Sequence, residues 1–189
     1  FELGVSVVSS DHSVISDLLA IANTADGIRI SGASQVMVTD NVAIGNASAG
    51  IAVIGGSSNN TVSKNTVTQN SYGITFESSN ANTLSNNAIV GGSSVGVRVD
   101  SSANTISKNR IIGNPSDGME LFGGSNNLIE RNFAQANDAF LVLFSADAHD
   151  NVVRNNIATA NDQEGIIING GATANIIEKN VTSSNHWGI

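Results

Sequence analysis

Cysteine is absent from the 189 residues, so neither a disulfide framework nor a thiolate metal site is available. Proline occurs once, at Pro115, and aromatic residues make up only 4% of the chain. Basic residues are scarce as well. Eight Lys and Arg stand against 16 Asp and Glu, and the resulting formal charge of -8 repels phosphate backbones, so no nucleic-acid partner is expected. Long hydrophobic runs are missing. The longest, Ala139 to Phe144, falls far short of the roughly 20 residues that a membrane-spanning helix requires, so no membrane span is expected. The chain opens at Phe1 without a basic-then-apolar leader, and an export signal is expected to have been removed or to lie outside these residues.

What is present is small, polar and periodic. A Gly followed by alternating apolar residues recurs at Gly4, Gly27, Gly50, Gly73, Gly96, Gly118, Gly165 and Gly188, with Phe140 in the one missing slot. The spacings run 23, 23, 23, 23, 22, 22, 25 and 23 residues. Inside the units Asn returns every five residues, as in Asn60, Asn65 and Asn70, or Asn104, Asn109 and Asn114. Each unit also holds three short segments of period-two alternation, for example Ile74-Thr75-Phe76, Thr83-Leu84 and Ala88-Ile89-Val90. None is long enough for a hairpin sheet, and no stretch carries a 3.6-residue apolar stripe.

This pattern predicts an all-β chain that coils once per unit, with three short strands per coil and like strands stacked in parallel: a single-stranded parallel β-helix of about eight coils of 22 to 25 residues. The Asn triplets are expected to form ladders at the corners, bonding backbone left unpaired by the bends and adopting left-handed geometry there. Gly at the strand entrance is expected to serve the same bends. The inward set is expected to run from Ile28 and Ile30 through Ile74, Phe76, Val97 and Val99 to Ile166, Ile168 and Ile177. One domain over residues 1–189 follows, and because neither end carries a cap, it is expected to be an excerpt of a longer β-helix.

Units such as Asn60-Thr-Val-Ser-Lys-Asn65-Thr-Val-Thr-Gln-Asn70 followed by Gly73-Ile-Thr-Phe resemble the repeats of the NosD-like, carbohydrate-binding and sugar-hydrolase (CASH) superfamily. The resemblance implies a right-handed coil, in keeping with the general hand of parallel crossovers. It also implies a range of activities, from polysaccharide lyases, hydrolases and epimerases to periplasmic accessory and surface proteins.

Counting outward from the coil-marking slots places side chains in stacked columns. One reads Arg29, Ala52, Thr75, Arg98, Glu120, Val142, Ile167; the next reads Ser31, Ile54, Glu77, Asp100, Phe122, Phe144, Asn169. Tyr72 and Asp117 flank the same face. Tyr72, Glu77, Arg98, Asp100, Asp117 and Glu120 are therefore the candidate substrate-binding residues, with Arg98 expected to neutralise its acidic neighbours. Solvated surface charges are the plainer reading of the same cluster. The coil of Phe140 breaks the alternation, so Phe140, Val142 and Phe144 are expected to point outward beside Phe122 as a partner-binding strip. Asp147-Ala148-His149-Asp150 resembles the Asp-Pro-His signature of mannuronan C5-epimerases, whose carboxylate and imidazole help proton transfer at a uronate carbon. Ala148 stands where that signature has Pro, no Tyr lies close upstream, and a long polar corner accounts equally for the extra residues of this 25-residue coil. His12, His149 and His186 are too dispersed to share a metal, so neither a metal site nor a cofactor is expected.

Three functions remain open at this point. The first is an extracellular, cell-surface or periplasmic module that binds polysaccharide, including acidic glycan, along an exposed sheet. The second is a fragment of a carbohydrate-active enzyme, namely a lyase, hydrolase or uronate epimerase. The third is a spacer in a fibre or surface assembly that meets protein partners or its own copies through the Phe122 and Phe144 strip.

Overall fold

The computed structural model describes residues Phe1–Ile189 and is all-β, with 24 short strands and no helix. Each coil gives one strand to each of three eight-stranded parallel sheets. The first sheet stacks the strands that follow the coil-marking slots, from Val5–Val8 through Tyr72–Glu77, Val97–Asp100, Met119–Gly123 and Leu141–Phe144 to Ile166–Asn169. The second and third sheets are built from three-residue strands such as Thr61–Ser63 and Thr66–Thr68. Their length is set by the corners. In Thr61-Val62-Ser63 the β-branched Val62 is buried between two half-buried hydroxyl residues, and Lys64 then turns the chain with φ of 57°.

A single apolar cluster fills the tube along its axis, with Ile28, Ile74, Phe76, Val97, Val99, Met119 and Leu121 among its members. The inward set read from the sequence lies in this cluster with two exceptions. Ile177 is only partly buried against it, and Ile168 is 43% exposed because its strand is the last of the first sheet and only Trp187 and Gly188 lie against the strand's start.

Three ladders of buried Asn side chains run beside the core. In the second, Asn87 donates from both its backbone N–H and its Nδ2 to Asn109 Oδ1, each at 3.0 Å, and from Nδ2 to Val62 O at 3.0 Å. Asn109 repeats the arrangement toward Asn132, so each amide joins three successive coils. The third ladder has one gap, at Gly92. There the Gly92 N–H still reaches Asn114 Oδ1 at 3.1 Å, while Asn70 Nδ2, with no amide to meet in the next coil, donates to Ala43 O at 3.0 Å and Thr68 O at 3.1 Å.

The corner geometry differs from expectation in two ways. The left-handed residue is the one preceding each ladder Asn: Lys64, Lys108, Arg131, Asn155 and Lys179 have φ between 55° and 57°, and no ladder Asn has positive φ. Asn is selected for its amide, and the backbone strain falls on its neighbour. The strand-entry glycines do not adopt positive φ either. They answer to close approach: a Cβ on Gly96 would lie 2.6 Å from Gly118 O and 2.8 Å from Ile111 Cγ2. This slot faces into the tube.

Phe140 therefore points inward and not outward. It is 0% exposed and belongs to the core cluster. The third-sheet position held by Ile111 is Ala134 in the next coil and Ala158 in the coil of Phe140, and these two small residues leave the volume that the ring occupies.

Candidate functional site

The outer face of the first sheet collects most of the candidate residues in register. Glu77 pairs with Asp100 and Arg98 pairs with Glu120 on adjacent strands. Between Val99 and Asp100 the register toward the next strand shifts, so that Asp100 lies opposite Gly123 and not Phe122. Counting at fixed spacing places Phe122 above Asp100; the bulge instead pushes Phe122 out of the ladder. Its ring stacks on Phe144 with centroids 5.3 Å apart and 22° between planes. These two rings are 42% and 40% exposed. Val142, expected in the same strip, is 8% exposed in its column between Glu120 and Ile167 and offers no contact surface. The strip is thus Phe122 and Phe144, without Phe140 or Val142.

Arg98, expected to neutralise its acidic neighbours, takes part in none of the ion pairs, which are Arg29 with Asp26, Arg154 with Glu130, and His149 with Asp150. Its guanidinium sits between two rings, with Cζ 5.9 Å from the Tyr72 centroid and 5.5 Å from that of Phe122. Nε is buried without a hydrogen-bond partner. Cation–π attraction thus fixes Arg98 as the brace of an aromatic row from Tyr72 to Phe122 to Phe144.

Asp117 shows what the repeat does when a charge is exchanged. In an earlier coil Asp26 holds the same pre-glycine slot, accepts the Ala49 N–H at 2.9 Å and pairs with Arg29 at 2.6 Å. In the coil of Asp117 the residue at the Arg29 position is Glu120. Burial first, then the Glu120 carboxylate, pushes the Asp117 carboxyl up from the usual 3.8 to about 6; Asp138 and Glu164 add to this, and a backbone hydrogen bond from Ala139 opposes it. The folded chain holds a proton that the unfolded chain releases across that window. The penalty is therefore absent below about pH 4 and complete above about pH 6, and stability falls as pH rises between them. Asp117→Asn is expected to stabilise the chain near pH 7, by on the order of 1 kcal/mol after solvent screening, and to change nothing near pH 3. Urea titrations at the two pH values check this; an equal gain at both would assign the effect to packing.

Beside the aromatic pair lies a cleft of about 530 Å³, lined by Asp100, Ser101, Ser102, Phe122, Gly123, Gly124, Ser145 and Asp147. The bulge shapes it. A Cβ on Gly123 would meet Asp100 Oδ1 at 3.1 Å and Asp147 Cβ at 3.8 Å, so the bare backbone separates two carboxylates. Ser145 sits on the rim with φ of 94°, a backbone geometry that L residues rarely adopt, and its Oγ donates to Phe122 O at 3.4 Å. Asp147 enters this cleft from the Asp-Ala-His-Asp segment, but His149 does not; its Nδ1 lies 2.8 Å from Asp150. Ser102, Gly123 and Ser145 escape a reading of the sequence alone. Their signal is the Gly123-Gly124 pair after one surplus residue, which marks a bulge only once the register is known.

Comparison with known proteins gives a family at this point. The family model described as "Periplasmic copper-binding protein (NosD)" matches residues 2–139. The chain belongs to the NosD family. No curated protein matches it. Among solved structures, this NosD-family chain is similar to the mannuronan C-5 epimerase AlgE4 A-module of Azotobacter vinelandii, with a TM-score of 0.77 and 20% identity over 93% of the chain and 55% of that structure. The periplasmic alginate epimerase AlgG gives 0.76 and 16%, covering 98% of this chain and 47% of that one. DFA-IIIase from Arthrobacter chlorophenolicus A6 gives 0.81 and 15%, covering 95% and 54%. The chain spans about half the length of these structures, and at such identities they bear on fold alone. Copper, which the NosD family description names, does not fit the donors present here. No group of three or more His, Cys, Asp or Glu is gathered, cysteine is absent, and the two methionines are apart, Met119 sealed in the core and Met37 exposed on the second sheet. No helix is long and apolar enough to cross a membrane.

Proposed function

We propose that this chain is a carbohydrate-binding β-helix module that lays a polysaccharide along the outer face of its first sheet. The observation that carries the reading is the stacked, exposed Phe122 and Phe144 pair bordering the cleft. Aromatic faces beside hydroxyls and carboxylates are what sugar recognition needs: an apolar platform for the ring's C–H face and polar groups for its rim. Arg98, braced by Tyr72 and Phe122, keeps the platform rigid before any ligand arrives. Tyr72, Glu77, Arg98, Asp100, Asp117 and Glu120 remain the proposed face, now extended by Ser102, Ser145 and Asp147. The NosD family and the alginate epimerase AlgG are both described as periplasmic, which supports an extracytoplasmic place of action.

Removing one ring of the pair tests the reading. Phe144→Ala is expected to weaken binding to a responsive oligosaccharide by about tenfold to a hundredfold, the worth of covering one Phe side chain. Affinity measured by calorimetry, with circular dichroism to show that the coil is intact, decides it. Full affinity in a folded Phe144→Ala chain would shift the strip toward the protein-contact reading, and concentration-dependent sedimentation would then be sought. A catalytic form of the same reading rests on Asp100 and Asp147 facing one cleft, and product formation lost in Asp147→Asn alone would favour it.

A further inference from the structure

Charge is distributed unequally around the tube. Six of the eight basic residues lie away from the first sheet: Lys64, Lys108, Arg131 and Lys179 occupy the corner between the second and third sheets, and Arg110 and Arg154 stand on strands of those sheets. Of the other two, Arg29 is paired with Asp26, and Arg98 is clamped between aromatic rings. The cleft beside Phe122 has two ionisable residues in its lining, Asp100 and Asp147, and neither is in an ion pair. Glu77 lies in register with Asp100 and adds a third carboxylate to the same face. An anionic sugar brought here would meet like charge with no basic residue in the cleft lining to offset it; Arg98 keeps its charge on the same face but stands outside that lining, between the Tyr72 and Phe122 rings.

We infer that the cleft bounded by Asp100, Asp147 and the Phe122–Phe144 pair selects sugar units that carry an ammonium group, and disfavours uronates. The inference rests on the proposed role of this face in carbohydrate binding and names its ligand class. An ammonium on a pyranose ring meets both recognition elements at once. It pairs with the two carboxylates across the bare Gly123 backbone, and it approaches aromatic faces that attract cations. Ser102 and Ser145 are left for the ring hydroxyls. The bulge is what makes this possible, since any side chain at position 123 would come within 3.1 Å of Asp100 Oδ1 and close the gap.

The test uses the full chain and three oligosaccharides of matched length: glucosamine oligomers with free amines, their fully N-acetylated counterparts, and galacturonate oligomers. At low salt the free-amine oligomer is expected to bind at least about tenfold more tightly than the N-acetylated one, with the galacturonate weakest, and the gap is expected to shrink as salt rises. Asp100→Asn with Asp147→Asn is expected to bring the free-amine oligomer down to the N-acetylated level while leaving the latter unchanged. If the N-acetylated or galacturonate oligomer binds as well as the free amine, and Phe144→Ala still weakens it, the ammonium inference falls and the carbohydrate reading stands. A free-amine preference untouched by the two Asn substitutions would assign the selectivity to overall charge and overturn the role of the cleft. Absence of binding to all three, with the fold intact, overturns both.

Discussion

Asn109→Ala is expected to destabilise the chain by about 3–5 kcal/mol, far more than its modest loss of volume suggests. The Asn109 side chain takes part in four buried hydrogen bonds: it accepts from Asn87 N and Nδ2, and it donates to Leu84 O and Asn132 Oδ1, all at 3.0 Å. Alanine restores none of them. Its own backbone N–H still donates to Asn132 Oδ1, and Leu84 O keeps its acceptor role in the parallel ladder with the next strand, so the loss concentrates on the Asn87 N–H, which lies inside the wall where water does not enter. The orphaned N–H costs about 1–3 kcal/mol, and each of the three other lost bonds about 0.5–1.5 kcal/mol. A chain of this length should then melt roughly 10 °C lower. Asn155→Ala is the matched control, because Asn155 is an exposed corner residue with φ of 56° and outside the ladder. It should cost less than about 1 kcal/mol, mainly from left-handed strain. Thermal melts of the two variants that differ little would mean that the ladders contribute less than the packing around them.

The second large effect is a substitution toward the repeat's own rule. Phe140→Gly restores the residue found in every other coil-marking slot, yet it is expected to cost about 3–5 kcal/mol, as removal of a buried Phe does. The slot is rebuilt around the ring: Ala134 and Ala158 replace the bulkier residues that close the third sheet in neighbouring coils. Glycine would leave a void that three positions share. Conversely, Ala158→Ile alone should cost about 1–3 kcal/mol by overpacking against Phe140. Combined, the two changes should be less harmful than the sum of the singles by more than about 1 kcal/mol, because each relieves the fault of the other. Denaturant midpoints of the two single variants and the double variant measure this coupling, and strict additivity would show that the ring and the alanines do not share a space.

These two positions also show where sequence reading succeeds and where it stops. The ladders are legible because every coil meets the same unpaired backbone at the same corner, and one residue type solves it. Repetition converts local chemistry into a visible period. Phe140 is misread because alternation holds within a strand and fails at the strand's entrance, where the slot turns into the tube. The same limit displaces Phe122. Columns counted at fixed spacing assume an unbroken register, and one surplus residue before Gly123 breaks it. Arg98 is correctly placed among acidic neighbours, but which of several partners a long side chain meets depends on angles that spacing does not encode, and it meets rings. The cleft itself joins residues from three coils, Asp100, Gly123 and Asp147, and no single unit displays it.

The gap at Gly92 has a mechanical meaning. Asn amides that donate in one direction from coil to coil align their dipoles along the axis, so each ladder is a polar thread sewn through the wall. The second thread runs unbroken from Asn41 to Asn180; the first misses one amide-to-amide bond, where Asn82 Nδ2 turns to Ser57 O and Ser79 O; and the third loses an amide altogether between Asn70 and Asn114, leaving three Asn on one side and four on the other. The corner between the third and first sheets is accordingly the seam of the tube. The cut falls in the coil that carries Tyr72 and Glu77, so one edge of the proposed binding face rests on the part of the wall that is least tightly sewn.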